Sequence, residues 1–353
     1  MPFAPLTLHP PQSGGTLDGM RVNGREARAC GRANVVSTMA TIPKATRRSA
    51  DVATESKEAN RPTSSRRAHR FLPVAYLFVL PYLIAFVLFR FGPAIVGFLI
   101  SLTDWQIAGK PNLVGLKNYR LLISDPQFIT SLTNTGYFVL LTAPPLILLG
   151  LLLALLVDQR LHGRVITRTA IFMPYVVMST VVGVIWLWLF NKESGILNYY
   201  LGLLGIRPVA WLTDPATAMP AVAMATLWWT IGFNMIIFLA GLQDVPQELE
   251  DAARVDGASE FNVFRHITLP LLAPATFVVV MLTLINTFQV FDQIYVMTGG
   301  GPSLATLTVI LYLYDQAFTT FRLGYGSAVA YVVLVVLVAL ALIQRRLLPE
   351  SEA

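Results

Sequence analysis

Polar side chains recur along one apolar segment at a spacing that suits hydrogen bonding to a hydroxylated solute. Asn286, Gln289 and Asp292 are spaced by three, so a helix would place them on one face, with Gln293 beside them. Polar groups in hydrocarbon are costly and usually face a bundle interior or a cavity. Amides donate and accept hydrogen bonds, as sugar hydroxyls do. We therefore expect Asn234, Asn286, Gln289 and Asp292 to line a solute path, or else to join helices to one another.

No combination of residues indicates catalysis or a metal site. The four histidines lie in tail and loop positions, and no nucleophile with a base or paired carboxylates can be identified. The single cysteine, Cys30, lies in the N-terminal tail and excludes both a disulfide framework and a cysteine-based metal site. We expect no enzyme activity, no metal and no cofactor bound by this chain.

ATP hydrolysis by the chain itself is also not expected. A phosphate-binding loop needs Gly-x-x-x-x-Gly-Lys-Ser/Thr. The only Gly-Lys pair is Gly109-Lys110, where Asp104 replaces the first glycine and Pro111 follows the lysine. If the protein moves a solute uphill, the energy must enter through a partner or an ion gradient.

A polar stretch, ELEDAARVDGASEFNVFRHITLP, interrupts the apolar pattern from Glu248 to Pro270. Pro246 suits the first position of a helix, and Asp256-Gly257 would end it because glycine adopts the left-handed conformation cheaply. Ser259 can cap a second helix. The stretch therefore predicts two short helices joined by a turn.

The second of these helices has an apolar side. Phe261, Phe264 and Ile267 recur at every third residue, and Pro270 is expected to end the helix. Alanines in the first helix, Ala252 and Ala253, permit close backbone approach. The motif is either a docking surface for another protein or a connector that folds back on its own bundle.

Composition places the chain among integral membrane proteins. Only 13% of the residues are charged and the mean hydropathy is +0.60, against about 25% charged residues in soluble domains. Six apolar segments are each long enough to cross a bilayer as a helix. The predicted segments are Phe71 to Leu102, Thr135 to Val157, Thr169 to Phe190, Ala221 to Leu242, Leu271 to Tyr295 and Ala328 to Leu347.

The distribution of Lys and Arg predicts the orientation. Twelve of the 26 lie before residue 71, in a stretch whose Pro, Gly, Ser and Arg content predicts disorder. With this tail inside, nineteen lie on the cytoplasmic side and six outside, as the positive-inside rule requires. Both termini and the polar stretch would be cytoplasmic.

The basic tail is expected to flank membrane lipid, and no nucleic acid partner is expected. Met20 and Met39 leave open where translation starts.

The polar stretch resembles the EAA loop of permease subunits in binding-protein-dependent ABC importers. That loop has Glu-Ala-Ala, then Gly after a short spacer, then Ile-x-Leu-Pro. This sequence has Asp251-Ala252-Ala253, then Gly257, then Ile267-Thr268-Leu269-Pro270. Asp251 replaces Glu, with Glu250 beside it.

The resemblance covers about residues 71 to 347 and extends to the carbohydrate-uptake class. Within that class, the sequence is similar to the "first permease" type of maltose, lactose and glycerol-3-phosphate systems. The matching stretches are GLKNYRLLISDPQF (115–128), NTGYF (134–138), FLAGLQDVP (238–246), FDQIYVMTGGGP (291–302), LYLYDQAF (311–318) and GYGSA (324–328).

The resemblance implies an all-α integral membrane protein with the type I ABC importer permease fold. Its implied partners are a second permease subunit in a heterodimer, two ABC ATPase subunits that use ATP, and an extracytoplasmic solute-binding protein, in the cytoplasmic membrane of a prokaryote.

The resemblance also implies that the loop over 243–270 couples to the ATPase. The expected coupling residues are Glu250, Asp251, Ala252, Ala253, Asp256, Gly257, Phe261 and Phe264. The expected layout is a basic tail over 1–70, a first transmembrane helix over 71–102, an extracytoplasmic loop over 103–128, a permease core over 129–347 and a cytoplasmic tail over 348–353.

The expected function is ATP-driven import of a sugar or related polyol. The alternative is an ion-coupled secondary transporter of a small polar solute, although no internal repeat supports it and Asp292 is the only acid within the six segments. Arg90, within the first segment, would pair with a partner's acid group or reach toward an interface. The sequence does not identify the solute.

Overall fold

The computed structural model describes residues 72–107, 109–159 and 163–347, with side chains from residue 78 onward. This part of the chain is helical, with one isolated β-bridge between Thr103 and Leu113 and no strand. The predicted tails over 1–70 and 348–353 lie outside the described residues. In chain order the helices are α1 Leu72–Phe86, α2 Gly92–Ser101, α3 Lys117–Ser124, α4 Pro126–Asp158, α5 Arg164–Val176, α6 Ser179–Leu189, α7 Ile196–Leu203, α8 Pro215–Gln243, α9 Gln247–Val255, α10 Glu260–Val263, α11 Leu269–Leu271, α12 Ala273–Phe288, α13 Asp292–Met297, α14 Val309–Tyr314 and α15 Leu323–Leu347. The π-helical segments are Val87–Phe91, Phe264–Thr268 and Asp315–Thr319.

The helices confirm the predicted all-α membrane architecture. By length and composition, five spans can cross a membrane: Phe78–Ser101, Pro126–Asp158, Pro215–Gln243, Ala273–Met297 and Leu323–Leu347. The bent pair α5 and α6 gives a sixth if it is counted as one crossing.

The third predicted span, Thr169 to Phe190, is not one straight helix. Helices α5 and α6 meet at an angle of 96°. Pro174 lies in the last turn of α5, and Val177 and Met178 are extended, with ψ of 139° at both. The indole of Trp229 donates a 3.0 Å hydrogen bond to the Val177 carbonyl, which satisfies a backbone group that the bend removes from the helix.

The fifth predicted span, Leu271 to Tyr295, is also interrupted. Helix α12 ends at Phe288 and α13 starts at Asp292, so residues 289–291 are not helical. The prediction that Asn286, Gln289 and Asp292 share one face of a continuous helix is therefore wrong in its geometry.

The predicted outer loop over 103–128 contains more structure than expected. Helix α3 lies within it, and α4 already starts at Pro126, before the predicted Thr135. The carboxylate of Asp125 accepts a 2.9 Å hydrogen bond from the Gln127 amide, and Pro126 follows at the first helical position. This cap and proline start α4 early.

Close packing at small residues brings the central helices together. A Cβ added to Gly232 in α8 would lie 2.3 Å from the Ile171 carbonyl oxygen of α5. A Cβ added to Gly150 in α4 would lie 2.9 Å from that of Asn234 in α8. Such contacts are the usual way in which membrane helices approach closely.

The first half of the first span lies apart from this packing. Every described side chain from Phe78 to Phe91 is exposed on this chain, including Arg90 in the π-helical segment. In the second half, Phe98 packs edge-on against Tyr331 of α15, with ring centroids 5.3 Å apart. A long apolar surface is thus left for lipid or another subunit to cover.

Candidate functional site

A cavity of about 220 Å³ lies among α4, α5, α6, α8, α12 and α13. All four predicted path residues, Asn234, Asn286, Gln289 and Asp292, contribute to its lining. Asn234 lies on α8, Asn286 on α12, Gln289 in the break after α12 and Asp292 at the start of α13. The cavity is therefore the candidate solute site.

Asn234 combines the two roles that the sequence left open. It is 1% exposed, lines the cavity and donates a 2.9 Å hydrogen bond to the hydroxyl of Thr283. That bond joins α8 to α12, so the same amide holds two cavity walls together.

Asp292 is positioned by the other interrupted span. Its carboxylate accepts a hydrogen bond from the hydroxyl of Ser179. Ser179 is the first residue of α6 and Asp292 the first residue of α13. The two breaks thus meet at the cavity, in the arrangement of discontinuous helices that is typical of transporter sites.

Several lining residues were not among the predicted path residues. Gln293 is 2% exposed, and its amide oxygen accepts a 2.5 Å hydrogen bond from Thr226. Its amide nitrogen is buried and has no hydrogen-bond partner among the described residues. A threonine pair spaced by four, Thr283 and Thr287, also lines the cavity and was a signal available in the sequence.

Aromatic rings form another part of the wall. Tyr175 stacks between Trp229, at 5.6 Å between centroids, and Phe233, at 4.7 Å. Tyr175 and Trp229 both line the cavity. Flat rings next to amides and hydroxyls can bind a solute that has both C–H faces and polar edges.

The second candidate site is the two-helix loop. Helix α9 starts at Gln247, so Pro246 stands at the N-cap position just before the helix and not at its first position. Gly257 has a φ of +86°. The Ser259 hydroxyl accepts a 3.4 Å hydrogen bond from the Asn262 amide at the start of α10. The predicted turn and second helix are present. Pro270 does not end that helix, because the π-helical segment continues into α11 through Leu271.

One arginine holds the two loop helices together. Arg254 contacts Asp251 at 2.9 Å, Glu260 at 2.9 Å and Glu250 at 3.5 Å. The hydrogen bond from Arg254 lowers the pKa of Glu260 and raises that of Arg254 itself. Asp251, which replaces the expected glutamate, is thus part of this ion-pair cluster.

Glu250 connects α9 to the π-helical segment that precedes the fifth span. Its carboxylate accepts a 2.8 Å hydrogen bond from the hydroxyl of Thr268, which is 6% exposed. Arg254 approaches the same carboxylate from the other side. This hydrogen bond connects α9 to the segment that precedes α12.

The apolar side expected from Phe261, Phe264 and Ile267 is only partly covered by this chain. Val263, 2% exposed, packs inward, whereas Phe261 is 67% exposed and Phe264 is half-buried. Val255 is 87% exposed. We call the exposed surface formed by Leu249, Ala252, Val255 and Phe261 the loop patch. It is an uncovered apolar area of the kind that binds other proteins.

Comparisons with known proteins identify the family of the chain. The family described as binding-protein-dependent transport system inner membrane component matches residues 147–351. The chain is 36% identical over 281 residues to the trehalose/maltose transport system permease protein of Thermococcus litoralis, covering 79% of this chain and 95% of the relative. It is 38% identical over 282 residues to the sn-glycerol-3-phosphate transport system permease protein of Agrobacterium fabrum, covering 79% and 94%.

A solved structure shares the fold. It is the bacterial alginate ABC transporter in complex with an alginate pentasaccharide-bound periplasmic protein. The TM-score is 0.69 at 22% identity, over 80% of this chain and 96% of the matched chain.

Proposed function

Because the chain belongs to the family of binding-protein-dependent transport system inner membrane components, we propose that it carries a sugar or a related polyol across the cytoplasmic membrane of a prokaryote. It is a multi-pass permease subunit of an ABC importer, and a transport protein rather than an enzyme.

The lining of the central cavity supports the solute class. Its polar groups are amides and hydroxyls, with one carboxylate, Asp292, and no basic side chain among the lining residues. Phosphate recognition normally uses Arg, Lys or clustered backbone amides. The lining therefore favours an uncharged hydroxylated solute over a phosphate ester, with Asn286 and Gln289 binding hydroxyls and Tyr175 and Trp229 facing C–H groups.

The loop patch supports coupling to a separate ATPase. It is apolar and exposed, and Glu250 links it to the start of the fifth span. With the basic tail inside, this loop and both termini are cytoplasmic. Two ATPase subunits would hydrolyse ATP, one docking on the loop patch through Ala252, Val255 and Phe261, and the motion of α9 would reach the cavity through α12.

The exposed first span supports a heterodimer with a second permease subunit. Its uncovered surface includes Phe78, Phe89 and the charged Arg90. A partner covering part of this surface could supply an acid group for Arg90, and lipid would cover the rest. At the end of the bundle opposite the loop patch, an extracytoplasmic solute-binding protein would deliver the solute.

Reconstituted transport tests the proposal. The chain is assembled with its second permease, ATPases and solute-binding protein in proteoliposomes, and uptake of maltose, trehalose and sn-glycerol 3-phosphate is measured. We expect ATP-dependent uptake of at least one sugar. Asn286→Ala and Gln289→Ala should each lower the rate about two- to tenfold, the effect of one lost hydrogen bond in the path.

The matched control is Gln127→Ala, an exposed glutamine outside the cavity, which should transport normally. Assembly, checked by co-purification of the subunits, should not change in any variant. Wild-type rates in both cavity variants would remove these residues from the path, and uptake driven by a proton gradient without ATP would contradict the coupling mechanism.

A further inference from the structure

Four aromatic rings form one continuous cluster between the surface and the cavity, with Tyr314 in contact with the other three. We call Phe318, Tyr314, Tyr295 and Phe291 the aromatic ladder. Tyr314 lies 5.5 Å from Phe318, 5.2 Å from Phe291 and 5.6 Å from Tyr295, centroid to centroid. Phe291 stacks on Tyr295 at 5.3 Å and 19°.

The four rings differ in their exposure to solvent. Phe318 is 59% exposed and Tyr295 is 49% exposed, whereas Phe291 and Tyr314 are half-buried. Phe291 lines the cavity, between the lining residues Val290 and Asp292. A solute that contacts Phe318 can therefore pass from ring to ring into the site without crossing a gap in the aromatic surface.

We propose that the aromatic ladder is an entry subsite that binds the pyranose rings of a saccharide and passes them to the cavity. This inference rests on the proposed function and adds a site and a substrate class to it. Aromatic faces carry negative charge density and attract the C–H groups of a sugar ring face. The hydroxyls of Tyr295 and Tyr314, with Asp315 and Gln316 next along the chain, can bind the polar edges of the same ring.

An interfacial aromatic belt would have a different form. Belt residues are mainly Trp and Tyr, each of which directs a polar tip to the headgroups. In the ladder the most exposed ring, Phe318, and the ring that lines the cavity, Phe291, are phenylalanines, and the rings pack against one another. The inner ring, Phe291, lines a polar cavity, which favours a solute as the occupant of the ladder.

Cysteine protection tests this subsite directly. Cys30 is the only cysteine of the chain, so Cys30→Ser gives a background for Phe318→Cys in the full reconstituted complex. A membrane-impermeant maleimide should label position 318. With maltose present at about twice its dissociation constant, labelling should slow about threefold. The matched control is Tyr200→Cys, since Tyr200 is 58% exposed and lies outside the ladder; maltose should not protect it.

Uptake gives the second readout. Tyr314→Leu should lower sugar uptake about two- to tenfold, the effect of one lost aromatic contact, while Tyr314→Phe keeps the ring and should retain at least half of the rate. Sugar import that is equally fast with Tyr314→Leu, or a maleimide label at position 318 that is absent or unprotected, would overturn the ladder and leave the permease function intact. Import of sn-glycerol 3-phosphate but neither sugar would also overturn it, whereas uptake of none of the three solutes would reject the proposed solute class itself.

Discussion

The hydroxyl of Tyr325 donates a 2.6 Å hydrogen bond to Oδ2 of Asp125, 200 positions earlier in the chain. Tyr312 donates to the same oxygen. Oδ1 of Asp125 accepts from the backbone amides of Gln127 and Phe128. One carboxylate therefore caps α4 and also fastens it to α14 and α15.

The first prediction is that Asp125 stabilises the fold more than an ordinary cap does. Asp125→Ala should cost about 2–3 kcal/mol, because both the cap and two hydrogen bonds to a charged group are lost. Asp214 is the matched control, since it also precedes a proline and caps α8 through the Ala216 amide at 2.9 Å. Asp214→Ala should cost only about 1 kcal/mol. Thermal unfolding in detergent measures both, and equal losses would contradict the prediction.

The same contacts predict a pH dependence. Burial alone would raise the pKa of Asp125, but the hydrogen bonds from Tyr312, Tyr325 and the backbone amides lower it below the usual 3.8. A depressed pKa in the folded state means that the stabilisation is complete above the unfolded-state pKa and is lost as pH falls through the folded-state value. The difference in stability between wild type and Asp125→Ala should therefore be constant from neutral pH to about pH 5 and should shrink only below about pH 4.

The sequence allowed the apolar spans and the turn at Gly257 to be predicted, because both depend on local properties. Hydropathy measures length and composition and does not report direction, so it could not reveal the 96° bend after Val176. The break at residues 289–291 was missed for the same reason. The contact between Asp125 and Tyr325 depends on tertiary packing, and no local pattern indicates it.

The lining of the cavity was likewise predictable only where it depends on local sequence signals. Its four predicted residues were chosen because polar groups are rare in apolar segments, and this criterion also applies to Gln293 and Thr226. The aromatic wall was not predicted, because Tyr175 and Trp229 are ordinary constituents of membrane helices and only their stacking at 5.6 Å gives them a shared surface.

The second prediction concerns the link between Glu250 and Thr268. Glu250→Ala or Thr268→Val should each speed hydrogen–deuterium exchange of the α9 amides, because each removes the same 2.8 Å hydrogen bond. The double variant should exchange no faster than the faster single variant, as expected for two groups that act through one contact. Glu248→Ala, on the exposed side of α9, is the control and should change exchange little. Additive effects would show that the two residues act separately.

The third prediction is that Gly257 is needed for coupling. Its φ of +86° lies outside what proline can adopt, and its amide donates a 3.1 Å hydrogen bond to the Arg254 carbonyl that proline would lose. Gly257→Pro should therefore abolish uptake and reduce co-purification of the ATPase. Gly257→Ala meets no atom within 4 Å, so it should cost only the backbone strain of about 1–2 kcal/mol and leave partial uptake.

The control for this experiment is Gly205→Pro. Gly205 has a φ of +73° and also meets no atom within 4 Å, but it lies in the connection between α7 and α8. This variant should suffer similar local strain and still retain the ATPase. Loss of the ATPase in both variants would indicate general misfolding, and full transport by Gly257→Pro would reject the docking role of the loop.

The fourth prediction is that α6 and α13 move together during transport. Ser179 and Asp292 join their first residues, and a Cβ added to Gly183 would lie 3.3 Å from that of Val296 one turn further on. That separation is close to the range of a disulfide. In a Cys30→Ser background, Gly183→Cys with Val296→Cys should therefore cross-link on oxidation. Since both helices already form one packed unit, the cross-linked complex should transport at close to the rate of its reduced form. Uptake that falls on oxidation and returns with dithiothreitol would instead show that α6 and α13 separate when the path opens.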